Sequence, residues 1–252
     1  MEIIEHTSNL SVKNSKNNLD KQLHPNLSEE LPNYNGFSWV IVGSSGSGKT
    51  TLLYSLMKAG TKKGIRHGYK KVFDKIYVIS PTIGNESIKN DPFKTIPKDQ
   101  VYRELTLSNL EEILTELEQN RADDKNSVLI LDDVGSELKK SKAIEKKLIS
   151  IIQNRRHLYT SIFILLQKWR DSPTGIRNNM SHFTSFRPKN MIERESIINE
   201  LFNFNKEESN KLLEYVFSDK HSFLYVDLSL HNSGEYIFYK NFNRLELNKI
   251  KK

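Results

Sequence analysis

The sequence predicts an α/β fold in which a mostly parallel sheet is covered by helices on both faces. Three observations support this prediction. Short apolar runs, typical of buried strands, alternate with amphipathic helical stretches. Two of the runs end in polar residues, one at Asp132-Asp133 and one at Gln167. A glycine-rich stretch, residues 43–50, lies between a predicted strand and a predicted helix.

The individual elements follow from apolar patterning and from turn residues. A capping box of Ser108 and Glu111 is predicted to begin a helix whose apolar residues recur at i, i+3, i+4 and i+7. Asn232-Ser233-Gly234 is predicted to turn a C-terminal hairpin. The predicted strands are residues 37–42, 76–79, 127–131, 162–166, 182–186, 223–227 and 236–239. The predicted helices are residues 51–57, 108–117, 144–152, 190–202 and 206–217.

Composition divides the chain into three parts. Residues 1–33 are rich in Asn, Ser, Lys and Glu with sparse apolar residues, so we expect a flexible N-terminal arm or an accessory segment that packs late. Residues 34–189 carry the alternating strands and helices of the core. Residues 190–252 change character and are predicted to form a small C-terminal α+β extension that ends in a basic tail.

The bulk numbers exclude some classes of protein. The 252 residues contain no cysteine, which excludes a disulfide framework and a thiol nucleophile, and the seven histidines show no metal-ligand spacing. No apolar run approaches the ~20 residues of a membrane span, and the N-terminus lacks the features of a secretory signal, so we expect neither membrane insertion nor secretion. The net charge of +7 favours an acidic partner such as nucleic acid. A lysine-rich solvated surface is the alternative.

Residues 43–50 match G-x-x-x-x-G-K-[ST], the phosphate-binding P-loop. In such a loop the glycines let backbone N–H groups face a triphosphate, Lys49 reaches the β- and γ-phosphates, and the Thr50 hydroxyl binds Mg²⁺. The alternative is a glycine-serine surface turn. The residues predicted to bind ATP are Gly43, Ser44, Ser45, Gly46, Ser47, Gly48, Lys49, Thr50 and Thr51.

Three polar residues are predicted to meet the nucleotide at the carboxyl edge of the sheet. In an open parallel sheet ligands bind at that edge, and Asp132, Asp133 and Gln167 directly follow apolar strands. Asp132 is predicted to hold Mg²⁺ through water, Asp133 to polarise the attacking water, and Gln167 to lie near the γ-phosphate. A pair of helix-capping aspartates is the alternative for the two carboxylates.

Basic residues supply two further sets of candidates. Arg155, Arg156 and Arg177 are candidate arginine fingers, with Arg156 and Arg177 preferred; such residues act on the nucleotide of a neighbouring subunit and therefore imply a ring. Favourable interaction with a helix C-terminus is their alternative role. The basic segment 58–75 is predicted to contact DNA, and the basic tail 240–252 is the second choice. The candidate DNA-contacting residues are Lys62, Lys63, Arg66, Lys70 and Lys71.

In their order along the chain, the motifs resemble those of the FtsK/HerA-type DNA-pumping ATPases. They are most similar to the poxvirus-type genome-packaging ATPases of large DNA viruses and of virophages. The resemblance covers roughly residues 36–187 and leaves the arm and the C-terminal part unmatched. One departure is Asp133, where many relatives in the wider superfamily have Glu. The matching motifs are residues 43–50, Ile79-Ser80-Pro81-Thr82, Leu129-Ile130-Leu131-Asp132-Asp133, Arg155-Arg156-His157, Gln167 and Ile176-Arg177-Asn178-Asn179.

The resemblance implies a RecA-like (ASCE) P-loop NTPase that forms an oligomeric ring and hydrolyses ATP to drive double-stranded DNA into a preformed capsid. The implied partners are DNA, further copies of the chain, and capsid or portal-type proteins. The implied location is the viral factory in the host cytoplasm, or the virion.

Four other functions remain as alternatives. The chain could be another ATP-driven DNA motor, serving plasmid transfer or chromosome translocation, or a nucleotide-bound scaffold without turnover. Residues 132–135 also fit the D-x-x-G pattern of GTPases, but Arg170 stands where the guanine-reading Asp is expected. A small-molecule kinase is the weakest alternative, because no lid or acceptor pocket is legible in the sequence.

Overall fold

The structure is a computed structural model that describes residues 21–82, 91–229 and 236–247. The strands are β1 (Ser38–Val42), β2 (Thr61–Lys62), β3 (Ile65–Arg66), β4 (Lys75–Ile79), β5 (Val101–Tyr102), β6 (Ser127–Asp132), β7 (Thr160–Leu166), β8 (His182–Phe186), β9 (Phe223–Asp227), β10 (Ile237–Lys240) and β11 (Asn243–Arg244). The α-helices are α1 (Lys49–Lys58), α2 (Leu107–Ala122), α3 (Gly135–Lys140), α4 (Lys142–Asn154), α5 (Thr174–Arg177), α6 (Met191–Leu201) and α7 (Lys206–Val216).

Nine strands of the described residues form one sheet in the order β11-β10-β9-β8-β1-β7-β6-β4-β5. The six strands from β8 to β5 pair in parallel, whereas β9, β10 and β11 add to the β8 edge in antiparallel fashion. Strand β7 lies between β1 and β6, so the strand before the glycine-rich loop and the strand that ends in the two aspartates are not neighbours. This order confirms the predicted mostly parallel α/β fold.

Alternating residues of the central strands pack into two separate cores, one on each face of the sheet. On one face, residues such as Val40 and Val42 pack against α2, α4, α6 and α7. On the other face, Trp39 and Ile41 pack against α1 and against non-helical segments that include Leu31 and Tyr69. Helices therefore cover both faces as predicted, but among the described residues the second face is covered by one long helix, α1, and otherwise by non-helical segments.

The helix predicted to begin with a capping box at Ser108 begins earlier. Its N-cap is Thr106, whose side-chain oxygen accepts a hydrogen bond of 3.1 Å from the backbone N–H of Asn109. The capping-box prediction was therefore wrong. Thr106 and Ser108 both carry a hydroxyl that can cap a helix, and Thr106 is the one that does so; Leu110, Ile113 and Leu117 are buried in the core. The sequence reading also missed the short elements β2, β3, β5, α3 and α5.

Residues 21–33 are packed against the core, so the predicted arm of residues 1–33 included too much of the chain. Leu27 and Leu31 are buried with Phe37, and the Tyr69 hydroxyl donates a hydrogen bond of 3.1 Å to the Pro32 carbonyl. Residues 1–20, the remainder of the predicted arm, lie outside the described residues. Because Leu27 and Leu31 are buried, residues 21–33 belong to the folded domain rather than to the arm.

The predicted C-terminal extension continues the same sheet. Strand β9 pairs with β8 of the core, and β10 pairs with β9 as the predicted hairpin requires. The predicted turn at residues 232–234 and the end of the basic tail, residues 248–252, lie outside the described residues. Within the described parts of the chain, none of the helices combines the length and the apolar character needed to cross a membrane.

Candidate nucleotide-binding site

The glycine-rich loop leaves β1 at Val42 and ends in the first residue of α1. Two of its glycines have backbone angles that favour glycine, with φ = +74° at Gly46 and +116° at Gly48. A Cβ atom on Gly43 would lie 2.5 Å from Ser47 Oγ and 2.9 Å from Phe186 Cβ, which leaves no room for a side chain. The three glycines are therefore required by the shape of the loop itself.

The start of α1 is suited to bind an anion. The first N–H groups of a helix have no intrahelical partner, and the helix dipole places partial positive charge there. The first turn of α1 contains no acidic residue. The hydroxyl oxygen of Ser47 is buried and has no hydrogen-bond partner within the described residues, so a phosphate oxygen would satisfy a polar group that is otherwise left unpaired.

Lys49 lies over the loop with most of its side chain buried. Its Nζ donates hydrogen bonds to the carbonyl oxygens of Gly43, at 2.6 Å, and of Ser44, at 3.3 Å. Burial lowers the pKa of Lys49, while the negative charges of Asp132 and Asp133 act in the opposite direction. Burial disfavours the protonated form of the Lys49 amine. Phosphate oxygens bound beside it would supply negative charge that stabilises this form.

Asp132 ends β6 and lies buried next to the charge of Lys49. Burial raises the pKa of Asp132, the Asp133 charge acts in the same direction, and Lys49 acts in the opposite one. The hydroxyl of Ser80, which directly follows β4, donates a hydrogen bond of 3.4 Å to Asp132 Oδ2. The sequence analysis assigned Ser80 no role at the site, although its position directly after β4 predicts that it lies at the same edge of the sheet as Asp132.

The residues present fit a Mg²⁺ ion that is bound together with a triphosphate. Magnesium is usually held by one or two carboxylates plus phosphate oxygens and water, rather than by a cage of protein ligands. Among the described residues there is no cluster of three or more His, Cys, Asp or Glu side chains that could hold a metal by themselves. The Asp132 carboxylate and the Thr50 hydroxyl are the groups that would hold the ion.

Asp133 and Gln167 are in direct contact. The Gln167 side-chain amide donates a hydrogen bond of 2.8 Å to Asp133 Oδ1. Strands β6 and β7 are paired with Asp132 opposite Leu165, and the backbone N–H of Asp133 donates to the Leu165 carbonyl at 3.2 Å. The structure thus places the two predicted water-orienting residues side by side at the carboxyl edge of the sheet.

The two predicted arginine fingers lie apart from this cluster. Arg156 precedes β7, and its Cα lies 2.8 Å from where a Cβ on Gly36 would be, so it belongs to the opposite edge of the sheet. Arg177 is held within its own subunit: it forms an ion pair of 3.2 Å with Glu200, and its guanidinium lies 5.3 Å from the centre of the Trp169 ring. Neither position completes the subunit's own site, and action on a neighbouring subunit remains a prediction.

The predicted DNA-contacting residues lie on the connection between α1 and β4, at the edge opposite the glycine-rich loop. Strands β2 and β3 form a hairpin whose turn has positive φ at Lys63 and Gly64. Arg66 differs from the other four residues, because it is half-buried and lies 3.4 Å from His24 Nε2. The four that are exposed are Lys62, Lys63, Lys70 and Lys71.

Sequence reasoning missed a group of residues that border the loop from the C-terminal part of the chain. The Phe186 ring lies against Gly43 and Gly48, and His221 Nδ1 lies 3.1 Å from the Ser47 carbonyl oxygen. No local pattern marked either residue, since both reach the loop only through the pairing of β8 with β1 and of β9 with β8.

This sheet order, with a glycine-rich loop and a strand ending in carboxylates at one edge, defines a P-loop NTPase of the RecA-like type. The chain belongs to the Poxvirus A32 protein family, whose model matches residues 28–245. The match begins inside the predicted arm and runs through the C-terminal part. The expectation that the resemblance would be confined to residues 36–187 was therefore wrong.

Relatives within poxviruses are about one third identical. The DNA packaging protein OPG160 of Variola virus is 33% identical over 197 residues, covering 73% of this chain and 69% of the relative. Its counterpart in Vaccinia virus (strain Western Reserve) is 32% identical over the same length, with the same coverage of each chain.

Solved structures share the fold at low sequence identity. The DNA-packaging ATPase B204 from Sulfolobus Turreted Icosahedral Virus is similar with a TM-score of 0.53 and 17% identity, covering 82% of this chain and 98% of that one. The genome packaging NTPase B204 from Sulfolobus turreted icosahedral virus 2, in complex with AMPPCP, has a TM-score of 0.53 and 16% identity, covering 82% and 97%. These similarities confirm the predicted fold.

Proposed function

We propose that this protein is an ATPase that packages double-stranded DNA into a viral capsid. The observation that carries the proposal is the contact between Gln167 and Asp133 at the sheet edge where Lys49 and Asp132 lie. A protein that only binds a nucleotide has no need for two polar groups paired beside the phosphate site. Membership of the A32 family, whose poxvirus relatives bear the name DNA packaging protein, supports DNA as the substrate that is moved.

In the proposed reaction, the glycine-rich loop and the start of α1 bind the phosphates of ATP. Lys49 exchanges its carbonyl contacts for oxygens of the β- and γ-phosphates. Bound Mg²⁺, held by Thr50 and Asp132, would neutralise charge on the phosphates. Gln167 and Asp133 orient a water molecule for attack on the γ-phosphorus, and Asp133 accepts its proton. A shorter carboxylate than Glu serves here because the amide of Gln167 fixes its direction.

The proposal includes an oligomeric ring, since an arginine from a neighbouring subunit would complete each site. Arg156 and Arg177 are the proposed donors. Sequence-independent contacts of DNA phosphates with Lys62, Lys63, Lys70 and Lys71 would transmit the movement. Capsid or portal-type proteins are the proposed docking partners, and the viral factory or the virion is the proposed place of action.

The proposal is tested by measuring ATP hydrolysis with and without double-stranded DNA, together with the mass of the assembly. We expect an oligomer whose turnover is stimulated by DNA and abolished by Lys49→Ala. A slow turnover that does not respond to DNA would instead favour a nucleotide-bound scaffold. A preference for GTP over ATP would favour the GTPase alternative.

A further inference from the structure

Glu193 lies in the first turn of α6 and has a buried side chain that plays no part in the proposed reaction. Its carboxylate oxygen Oε2 accepts a hydrogen bond of 2.8 Å from the backbone N–H of Trp169. Burying a carboxylate is costly unless hydrogen bonds compensate for the loss of water. A buried N–H without an acceptor is costly as well, so both partners depend on this contact.

The start of α6 holds Glu193 in place. The side chain of Asn190 accepts a hydrogen bond of 2.9 Å from the backbone N–H of Glu193, and Ile197, one turn further along the helix, is buried in the core. The carboxylate thus extends from an anchored helix to a segment 24 positions earlier in the chain. Glu193 also borders a cavity of about 370 Å³ whose lining includes Ser44 and Gln167, so it lies close to the glycine-rich loop and to the water-orienting pair.

Trp169 is the second residue after Gln167, so the position of its amide influences the course of the backbone at Gln167. Strand β7 ends at Leu166, and Gln167 is exposed. An exposed side chain gains little direction from packing. The Trp169 ring is fully buried, with its centre 4.8 Å from that of the Phe183 ring. The backbone of Gln167 is therefore held between the end of β7 on one side and the amide and ring of Trp169 on the other.

A further contact joins the same segment to the residues that follow β6. Asp171 forms an ion pair with Lys139 of α3, and a Cβ atom on Gly135, the first residue of α3, would lie 3.3 Å from Asp171 Cβ. The segments after β6 and β7 are thus in contact at Gln167 and again at Asp171. Glu193 holds the turn between these two points from a third element, α6.

We propose that Glu193 is a positioning residue for ATP hydrolysis. By holding the Trp169 amide, it fixes the backbone after β7 and so directs the Gln167 side chain toward Asp133. The inference rests on the proposed function, because it assumes that Gln167 orients the attacking water. Glu193 acts through Gln167 rather than on the reacting atoms, and it makes the geometry of the water-orienting pair depend on α6.

The test compares Glu193→Met, which keeps the length of the side chain but removes the acceptor, with Glu193→Gln, whose carbonyl oxygen can still accept from the Trp169 amide. We expect Glu193→Met to lower kcat for ATP hydrolysis by about 10- to 10²-fold, because a small displacement of an orienting group is costly. Glu193→Gln should recover most of the lost rate. The Kd for AMPPCP with Mg²⁺, measured by calorimetry, should change less than about threefold in both variants, since Lys49 and the loop remain intact.

A double variant, Gln167→Ala with Glu193→Met, tests whether Glu193 acts through Gln167. Once Gln167 is absent, Glu193 has nothing left to position, so kcat should lie within about threefold of that of Gln167→Ala alone. Asn205→Ala is the control for loss of stability, because Asn205 caps α7 with a hydrogen bond of 2.9 Å and does not border the cavity. It should lower Tm and leave kcat unchanged. If Glu193→Met does not fold, Glu193→Asp replaces it, since the shorter side chain keeps the charge but loses the reach, and the same fall in kcat is expected.

Four results would overturn the positioning role of Glu193: an unchanged kcat in Glu193→Met, a Glu193→Gln variant that is equally slow, losses that multiply in the double variant, or a fall in kcat of the same size in Asn205→Ala. A Kd for AMPPCP that rises in step with the loss of kcat would also contradict it. If the unmodified protein does not hydrolyse ATP, or if Gln167→Ala keeps full activity, the proposed function or the proposed role of Gln167 is wrong instead. Failure of the inference and failure of the proposed function are thus separated.

Discussion

The Gln167 side-chain amide donates a hydrogen bond of 2.8 Å to Asp133 Oδ1, although 34 positions separate the two residues. The pairing of β6 with β7 brings them together, and Asp133 adopts φ = +57° immediately after its strand. An aspartate tolerates this left-handed conformation better than most residues do. The carboxylate is therefore held by both its backbone and its neighbour, which is the arrangement expected of a group that orients water.

Replacing Gln167 by Ala should lower kcat for ATP hydrolysis by roughly 10²-fold, which is the usual effect of removing one positioned donor. The Kd for ATP should change less than about threefold, because Lys49 and the loop remain intact. Single-turnover kinetics and calorimetry measure the two quantities. Gln153→Ala, an exposed glutamine on α4, is the control and should leave both unchanged. A Kd that rises in step with the loss of kcat would contradict the orienting role.

Asp132→Asn should stabilise the nucleotide-free protein while it abolishes hydrolysis. Burial raises the pKa of Asp132 in the folded state, so its stabilising contribution is complete below the unfolded pKa and is lost as the pH rises through the folded pKa. At pH 7.5 the ionised carboxylate therefore costs stability that asparagine does not. We expect Tm to rise by a few degrees, with the difference narrowing as the pH is lowered toward 4.

Differential scanning fluorimetry across this pH range measures the effect of Asp132→Asn. Asp99→Asn is the matched control, since Asp99 is exposed and distant from the loop. It should change neither Tm nor hydrolysis. If the Tm of Asp132→Asn at pH 7.5 is instead lower than that of the unmodified protein, the attraction between Asp132 and Lys49 outweighs the cost of burying the Asp132 carboxylate.

An arginine that acts between subunits can be detected by mixing two inactive proteins. In the proposed oligomer, Arg156→Ala or Arg177→Ala should lower kcat by about 10³-fold if the residue is the finger. Mixing that variant with Lys49→Ala subunits should restore a measurable fraction of turnover, because Lys49→Ala subunits still contribute the arginine. Arg103→Ala, an exposed arginine before α2, is the control and should stay active. Absence of rescue for both variants, in assemblies of unchanged mass, argues against both fingers.

Charge reversal on the connection between α1 and β4 should weaken DNA binding without regard to DNA sequence. For the pair Lys62→Glu and Lys63→Glu, the slope of log K against log salt concentration should become less steep by about 0.9 for each lost phosphate contact. The double variant with Lys70→Glu and Lys71→Glu should show the same decrease in slope. Fluorescence anisotropy at several salt concentrations measures the slope.

The control for the DNA experiment is the pair Lys94→Glu and Lys98→Glu. These lysines are also exposed but lie on the connection before β5. Their reversal changes the net charge of the protein by the same amount and should leave the slope intact. An equal loss in both sets would mean that net charge, rather than the segment of residues 58–75, determines DNA binding.

The packing of residues 21–33 predicts that this segment stabilises the domain. Leu31→Ala removes a buried side chain next to Phe37 and should lower the free energy of unfolding by about 2–4 kcal/mol. Urea denaturation measures the change. Leu107→Ala, with 38% of the residue exposed, is the control and should cost much less. If both variants lower the free energy of unfolding by the same small amount, residues 21–33 do not stabilise the domain and belong to the predicted arm.

Much of the site could be predicted because it depends on short-range geometry. A glycine-rich loop of this pattern after an apolar strand typically binds phosphate groups, and the carboxyl ends of parallel strands meet at the same edge of the sheet. That reasoning placed Asp132, Asp133 and Gln167 together without knowledge of the strand order. Short elements such as α3 and β5 were missed, because a few residues carry no period that can be recognised.

The sequence by itself therefore determined the phosphate loop, the α/β class and the residues that follow the strands, since neighbouring residues encode each of these features. Only the tertiary structure decided that Leu27 and Leu31 belong to the core, that Arg177 is bound to Glu200, and that Phe186 and His221 border the loop. These contacts join distant parts of the chain, up to 174 positions apart for His221 and Ser47. They depend on which surfaces the sheet brings together, and no local pattern carries that information.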